Sequence, residues 1–193
     1  MLLNNNIKRD LSLSERKKIA VEPSIAQLQL IKLLKESAFF VLIALGLFLL
    51  GAFFSFQLQD PGWTHSGVGQ PVLNITGVVG AWLADFMLSI VGLMAFTFPI
   101  MLFNSAWLLI SDVIKKQSEP ASYYAIKWLG FFLALISGAA LLDVHYYQNW
   151  VALPGTPGGI IGFELSNLLT RLFAFEGATL VLLSAFLVCV SIS

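Results

Sequence analysis

The chain has 193 residues, 58% of them hydrophobic, with 11 basic and 11 acidic side chains and a formal net charge of zero. A soluble domain carries roughly 25% charged residues; the 11% here, with a mean hydropathy of +0.83, excludes an ordinary soluble domain and points to a membrane chain. The single cysteine, Cys189, excludes an internal disulfide and a cysteine metal cluster.

In chain order, residues 1–24 are polar and mixed in charge, which predicts a flexible, basic cytoplasmic tail. Its Glu15-Arg16-Lys17-Lys18 cluster is read as setting topology rather than as holding DNA phosphate or anionic lipid. No apolar core follows it within the first thirty positions, so it is not a signal peptide. Leu28, Leu30, Ile31 and Leu34 share helical spacing, predicting an amphipathic helix over 25–37 along the inner membrane surface.

A hydrocarbon core about 30 Å thick takes about 20 helical residues. The first span is 38–56, with 19 consecutive uncharged residues. An outer loop follows over 57–85, rich in turn residues such as Asp60-Pro61-Gly62. The second span, 86–110, has 25 uncharged residues and only Pro99 and Asn104 to interrupt it. A cytoplasmic loop covers 111–124. The third span, 125–145, holds just 15 uncharged residues between Lys127 and Asp143, so Lys127 must extend its ammonium to the headgroups.

A second outer loop, 146–176, opens with the proline-glycine run of 153–162. No Lys-Ser or Lys-Thr pair follows those glycines, so the run is read as a turn that returns the chain to the outer surface, not as a phosphate cradle. Leu165, Leu168, Leu169 and Leu172 then form one stripe, with Glu164, Asn167 and Arg171 opposite, predicting an amphipathic helix on the outer interface. The fourth span is 177–193, and its apolar run stops at the last residue with no cationic stop behind it, which leads us to expect a truncated chain.

Ten of the 11 basic residues precede the first span, lie in the 111–124 loop (Lys115 and Lys116) or sit at its edge (Lys127), and only Arg171 falls elsewhere. The positive-inside rule therefore places both ends of the chain in the cytoplasm. Trp82, Trp107, Trp128 and Trp150 lie near span ends, where amphipathic rings favour the headgroup layer. The fold class expected is an all-α membrane protein of four spans, with interfacial helices before the first and fourth.

Chemistry is sparse. His65 and His145, even with Asp60 and Asp143, lack metal-ligand spacing, and no nucleophile has a base identifiable from sequence. Asp85, Asp143 and Glu176 fall at the outer boundaries of spans, where solvation at the interface accounts for them, rather than at mid-depth as in a transporter. Gly46, Gly51, Gly92, Ser137, Gly138, Ala139 and Ala140 are small enough to let helices approach closely.

Three motifs in order, Asp-Pro-Gly-Trp over 60–63, Gly-Ala-Trp-Leu-Ala-Asp over 80–85 and Pro-Gly-Gly-Ile-Ile-Gly-Phe-Glu-Leu-Ser over 157–166, resemble the N-terminal four-span domain of the FtsK/SpoIIIE DNA translocases. The resemblance covers nearly the whole chain. Asp60, Trp63, Gly80, Asp85, Gly158, Gly159 and Gly162, which lie in these motifs, and Asp143, a carboxylate able to pair on the outer face, are read as outer-face or packing contacts. The resemblance implies a membrane anchor that brings a hexameric motor to the division septum of a bacterial inner membrane and meets other division proteins there. DNA, ATP and magnesium would belong to a motor and linker outside these residues, since no Walker A motif occurs here. The chain itself is then no enzyme and holds no cofactor; the competing reading is a stand-alone transporter or channel subunit.

Overall fold

The computed structural model describes residues 25–67, 71–115, 120–146 and 153–193. The basic tail, Lys116 and Trp150 lie outside the described residues. The elements are α1 (Ile25–Phe54), α2 (Gly77–Val91), a 3-10 segment (Gly92–Phe96), α3 (Thr97–Lys115), α4 (Ala121–His145) and α5 (Gly159–Ile192). No strand occurs among the described residues.

Four stretches are long and apolar enough to cross a membrane: Ala26–Phe54, Gly77–Ser111, Ala121–His145 and Gly159–Ile192. α1 runs unbroken through 25–37, so the amphipathic segment read before the first span is the leading part of the same helix. The second and fourth stretches have 35 and 34 residues, about 50 Å of straight helix against a core of about 30 Å. Each is broken near its middle, and each break leaves a separate leading arm.

The uninterrupted run of 86–110 is thus not one helix. Gly92 takes φ 59° at the end of α2 and donates its N–H to the Leu88 carbonyl. Pro99 has no N–H to offer residue 95, and its ring crowds that carbonyl, so regular α geometry resumes only from Thr97. The first loop is correspondingly shorter than 57–85, because α2 already starts at Gly77. In α5 the break is Ala174, at φ 57° and ψ −177°.

Two antiparallel hairpins result. In the first, the Phe103 ring lies over Gly46 and Phe96 stacks on Phe53 and Phe54 at 5.4 Å, so α3 runs back along α1. In the second, Lys127 Nζ donates to the Ser193 carbonyl at 2.8 Å, and Thr179 Oγ1 meets His145 Nε2 at 3.3 Å, so the second arm of α5 returns along α4. Ser137, Gly138, Ala139 and Ala140 are all buried, and the Gly138 face admits Met94 and Phe186. The core is Leu49, Phe53, Leu88, Met101, Phe131 and Leu135, drawn from both hairpins.

The two leading arms, α2 and the first part of α5, cap the same end of the hairpins and are built alike. Gly-Val-Val-Gly-Ala-Trp-Leu-Ala-Asp from Gly77 matches Gly-Ile-Ile-Gly-Phe-Glu-Leu-Ser-Asn from Gly159, 82 positions later. The glycines that open them have φ 73° and 63°, and the breaks that close them, Gly92 and Ala174, have φ 59° and 57° at the same spacing. Gly77 N donates to Asn74 O and Gly159 N to Thr156 O, both at 2.9 Å. Gly80 and Gly162 are buried, as are Ala84 and Ser166, while Val78 and Ile160 are exposed at 55% and 53%. The chain is a tandem pair of one unit: long helix, loop, capping arm, returning helix.

Candidate functional site: a capping layer built from three motifs

Asp60 draws the two ends of the first loop together. Its side chain is 3% exposed and accepts hydrogen bonds from Leu73 N at 2.7 Å and Asn74 N at 2.9 Å. Asn74 in turn donates Nδ2 to the Ala52 carbonyl at 2.8 Å and accepts from Thr76 N and Oγ1. Ser55 Oγ adds a third tie, accepting from Ile75 N at 3.1 Å. Asp60→Ala would leave the Leu73 and Asn74 amides without acceptors, the second of them buried, so it is expected to lower stability by about 1–3 kcal/mol, with Asp60→Asn intermediate because one acceptor survives. Thermal unfolding in detergent checks this, with chymotrypsin sensitivity of the 55–76 loop, which holds Phe56, Trp63 and Leu73, as a local readout.

Asp85 is fully buried, not solvated at a span boundary as its position suggested. It accepts from Thr64 N at 2.7 Å and from Thr64 Oγ1 at 2.9–3.0 Å. The Thr64 hydroxyl has one proton, and Asp85 takes it; the 2.8 Å contact to His65 Nδ1 then requires His65 to donate from Nδ1. Gly62 makes the fit possible, because a Cβ there would fall on the Asp85 carboxyl. Trp63 closes the turn with its ring edge on Phe86 at 5.4 Å, while remaining 45% exposed. Gly80 is required because Thr76 fills the space where its Cβ would be.

The third motif joins the hairpins. Leu93 N donates to the Pro157 carbonyl at 2.9 Å, and the backbones of Gly92 and Gly159 meet with no room for a side chain on either. Gly158 and Gly162 both rest on the Ala139 carbonyl, six residues or about 9 Å before the end of α4 at His145. The proline-glycine run is therefore a wedge set between the end of α2 and α4, rather than a turn lying on the surface. Asp143, half-buried, accepts from Ser166 Oγ at 2.6 Å, so it too is bonded within the protein. The leucine stripe divides: Leu165 and Leu169 pack towards Ala140, Val144 and Leu182, whereas Leu168 and Leu172 are exposed.

All eight marked residues thus fall in the capping layer or on the α4 face beneath it. Asp60, Trp63, Gly80 and Asp85 serve the first unit; Asp143, Gly158, Gly159 and Gly162 serve the second and its joint to the first. Thr64 is the contributor that spacing did not reveal, since its partner lies 21 residues away. A cavity of about 270 Å³ remains beside the joint, lined by Thr64, Ser89, Thr156, Phe163 and Glu164, and the Ser89 hydroxyl is buried there without a partner. Among the described residues, no three His, Cys, Asp or Glu side chains group as a metal site. The arrangement can shape, rigidify and present a surface.

Residues 31–193 match the family model described as the 4TM region of DNA translocase FtsK/SpoIIIE. The chain is 34% identical over 160 residues to the DNA translocase FtsK of Pseudomonas syringae pv. tomato, covering 80% of this chain and 19% of that protein. It is 30% identical over 176 residues to DNA translocase FtsK 2 of Ralstonia nicotianae, covering 89% and 22%. With DNA translocase FtsK of Vibrio parahaemolyticus it shares 30% over 168 residues, covering 86% and 16%. The chain thus spans about a fifth of the length of these relatives and matches only their membrane region. No solved structure matches it. With four helices able to cross a membrane, a cap assembled from the three family motifs and this match over most of its length, the chain belongs to the FtsK/SpoIIIE family as its multi-pass four-span membrane region.

Proposed function

We propose that this chain is the anchoring and assembly domain of a cell-division DNA translocase, holding the motor at the septum of the bacterial inner membrane and bringing its copies together. The distribution of lysine and arginine supports a capping layer that faces outward and a basic tail in the cytoplasm. The domain acts through the lipid bilayer, through contacts with other division proteins and through copies of itself, with a hexamer expected from the motor. DNA, ATP and magnesium are handled by the motor region, outside these residues.

The observation that supports this reading most is the convergence of all three motifs on one cap, whose polar groups are taken up in holding it together. Asp60, Asp85 and Asp143 each bond within the protein, as a presented surface needs and as an ion path through mid-membrane carboxylates does not. A fluorescent fusion of the full-length protein in dividing cells tests it. Signal concentrated at midcell is expected, and a uniform membrane signal would sink the septal role.

A further inference from the structure

The joint between the hairpins uses one end of each repeated arm. The finish of α2, Ile90 to Leu93, packs on the start of the α5 arm, Pro157 to Gly159. Shifting each side by 82 positions gives the matching edges: the finish of the α5 arm, Leu172 to Phe175, and the start of α2, Ile75 to Gly77. Both of those are free of each other. Ile75 is 77% exposed, a Cβ on Gly77 would meet nothing within 4 Å, and Leu172, Phe173 and Phe175 are 66%, 51% and 46% exposed.

This pattern has a definite symmetry. Two units related by a two-fold axis would make both contacts, because in an isologous pair whatever the first offers the second, the second offers the first. Here one contact is made and its counterpart is open, which is head-to-tail packing. Such packing leaves a complementary edge at either end of the pair and extends to further copies, closing into a ring where the rotation permits.

We propose that the Leu172–Phe175 edge of one copy docks on the Ile75–Gly77 edge of the next, so that the joint made once inside each chain is repeated between chains. The partner is a second copy because the docking geometry is one that this chain already makes with itself. The edges are apolar, as the centre of a stable contact requires. One difference sets the closeness of the fit: Ala174 carries a Cβ where Gly92 has none, so the contact between chains is wider than the internal one and is made by side chains, Leu172 and Phe173 against Ile75. The inference rests on the assembly reading above and names its surface.

The test is cysteine crosslinking of the full-length protein in its own membrane, in a cysteine-free background that includes Cys189→Ala. Ile75→Cys and Leu172→Cys in one chain should give an oxidant-dependent ladder of dimers, trimers and larger species. Either variant alone should give none, and co-expressing the two single variants should give dimers only. Both positions are surface-exposed, and wild-type thermal unfolding of the variants shows that the fold is kept. Dimers from Ile75→Cys alone would overturn the head-to-tail arrangement, as would a 75–172 link inside one chain. No ladder from a protein whose native mass is still oligomeric overturns this joint and leaves the assembly reading standing; a monomeric native mass sinks both.

Discussion

Gly159→Ala is expected to destabilise the protein by about 2–5 kcal/mol, because two costs combine: about 1–2 kcal/mol for an L side chain in the left-handed region and about 1–3 kcal/mol for overpacking. Gly159 has φ 63°, and a Cβ there would stand 2.5–2.6 Å from the backbone of Ile90 and Gly92. Backbone cannot swing aside as the end of a flexible side chain can, so the halves must separate to admit the methyl. Two other glycines isolate the terms. Gly77 has φ 73° but open space around it, so Gly77→Ala should show the conformational cost alone, about 1–2 kcal/mol. Gly155 has neither a strained φ nor a neighbour within 4 Å, so Gly155→Ala should change stability by less than about 0.5 kcal/mol. Thermal unfolding of the three purified variants in one detergent reads the order directly, and equal effects at 155 and 159 would contradict the wedge.

Asp85→Ala should have the next largest effect, a loss of about 3 kcal/mol. It strips the acceptor from the Thr64 amide and hydroxyl, whose bonds to Asp85 are only part-buried, so each costs towards the low end of about 1–3 kcal/mol when left unmet, and it leaves a void beneath Gly62. Asp85→Asn should cost about 1 kcal/mol, since its carbonyl can still accept from Thr64 N while its amide donates to Thr64 Oγ1. Hydrogen exchange at the Thr64 amide is the local measurement. Protection retained in Asp85→Ala would show that the bond to Asp85 does not hold the 60–67 turn. Gly62→Ala should mimic the loss by pushing the carboxyl away rather than removing it.

The spans were legible because uncharged length is a direct reading of what a bilayer accepts. What escaped is where those runs bend. Hydropathy is blind to the difference between one helix over 86–110 and two helices meeting at Gly92, since glycine and proline interrupt no apolar count. Pro99 was visible, but its effect lies at residue 95 and earlier, upstream of where the eye stops. Asp85 was placed at the interface because a carboxylate usually marks a boundary; its burial depends on Thr64, a partner brought in by tertiary folding. Ala174 has no signal at all, as nothing in an alanine announces a positive φ. The repeat, by contrast, is written in the sequence: the Gly-Val-Val-Gly and Gly-Ile-Ile-Gly segments each lead to a leucine and a small-Asx pair, so that the proline-glycine wedge and the start of α2 are one device used twice.

The capping layer locks the two hairpins together through the contact of Leu93 with Pro157. The most direct measurement places a protease site in the 116–119 connection and cysteines at Leu93 and Thr156, in a background carrying Cys189→Ala. A short bifunctional maleimide is added to the membrane-embedded protein before cleavage. The cleaved halves are expected still to migrate as one full-size band, because Leu93 N bonds to Pro157 O at 2.9 Å and holds the two positions together. Two separate bands from a folded protein, with both cysteines labelled but not linked, would contradict it.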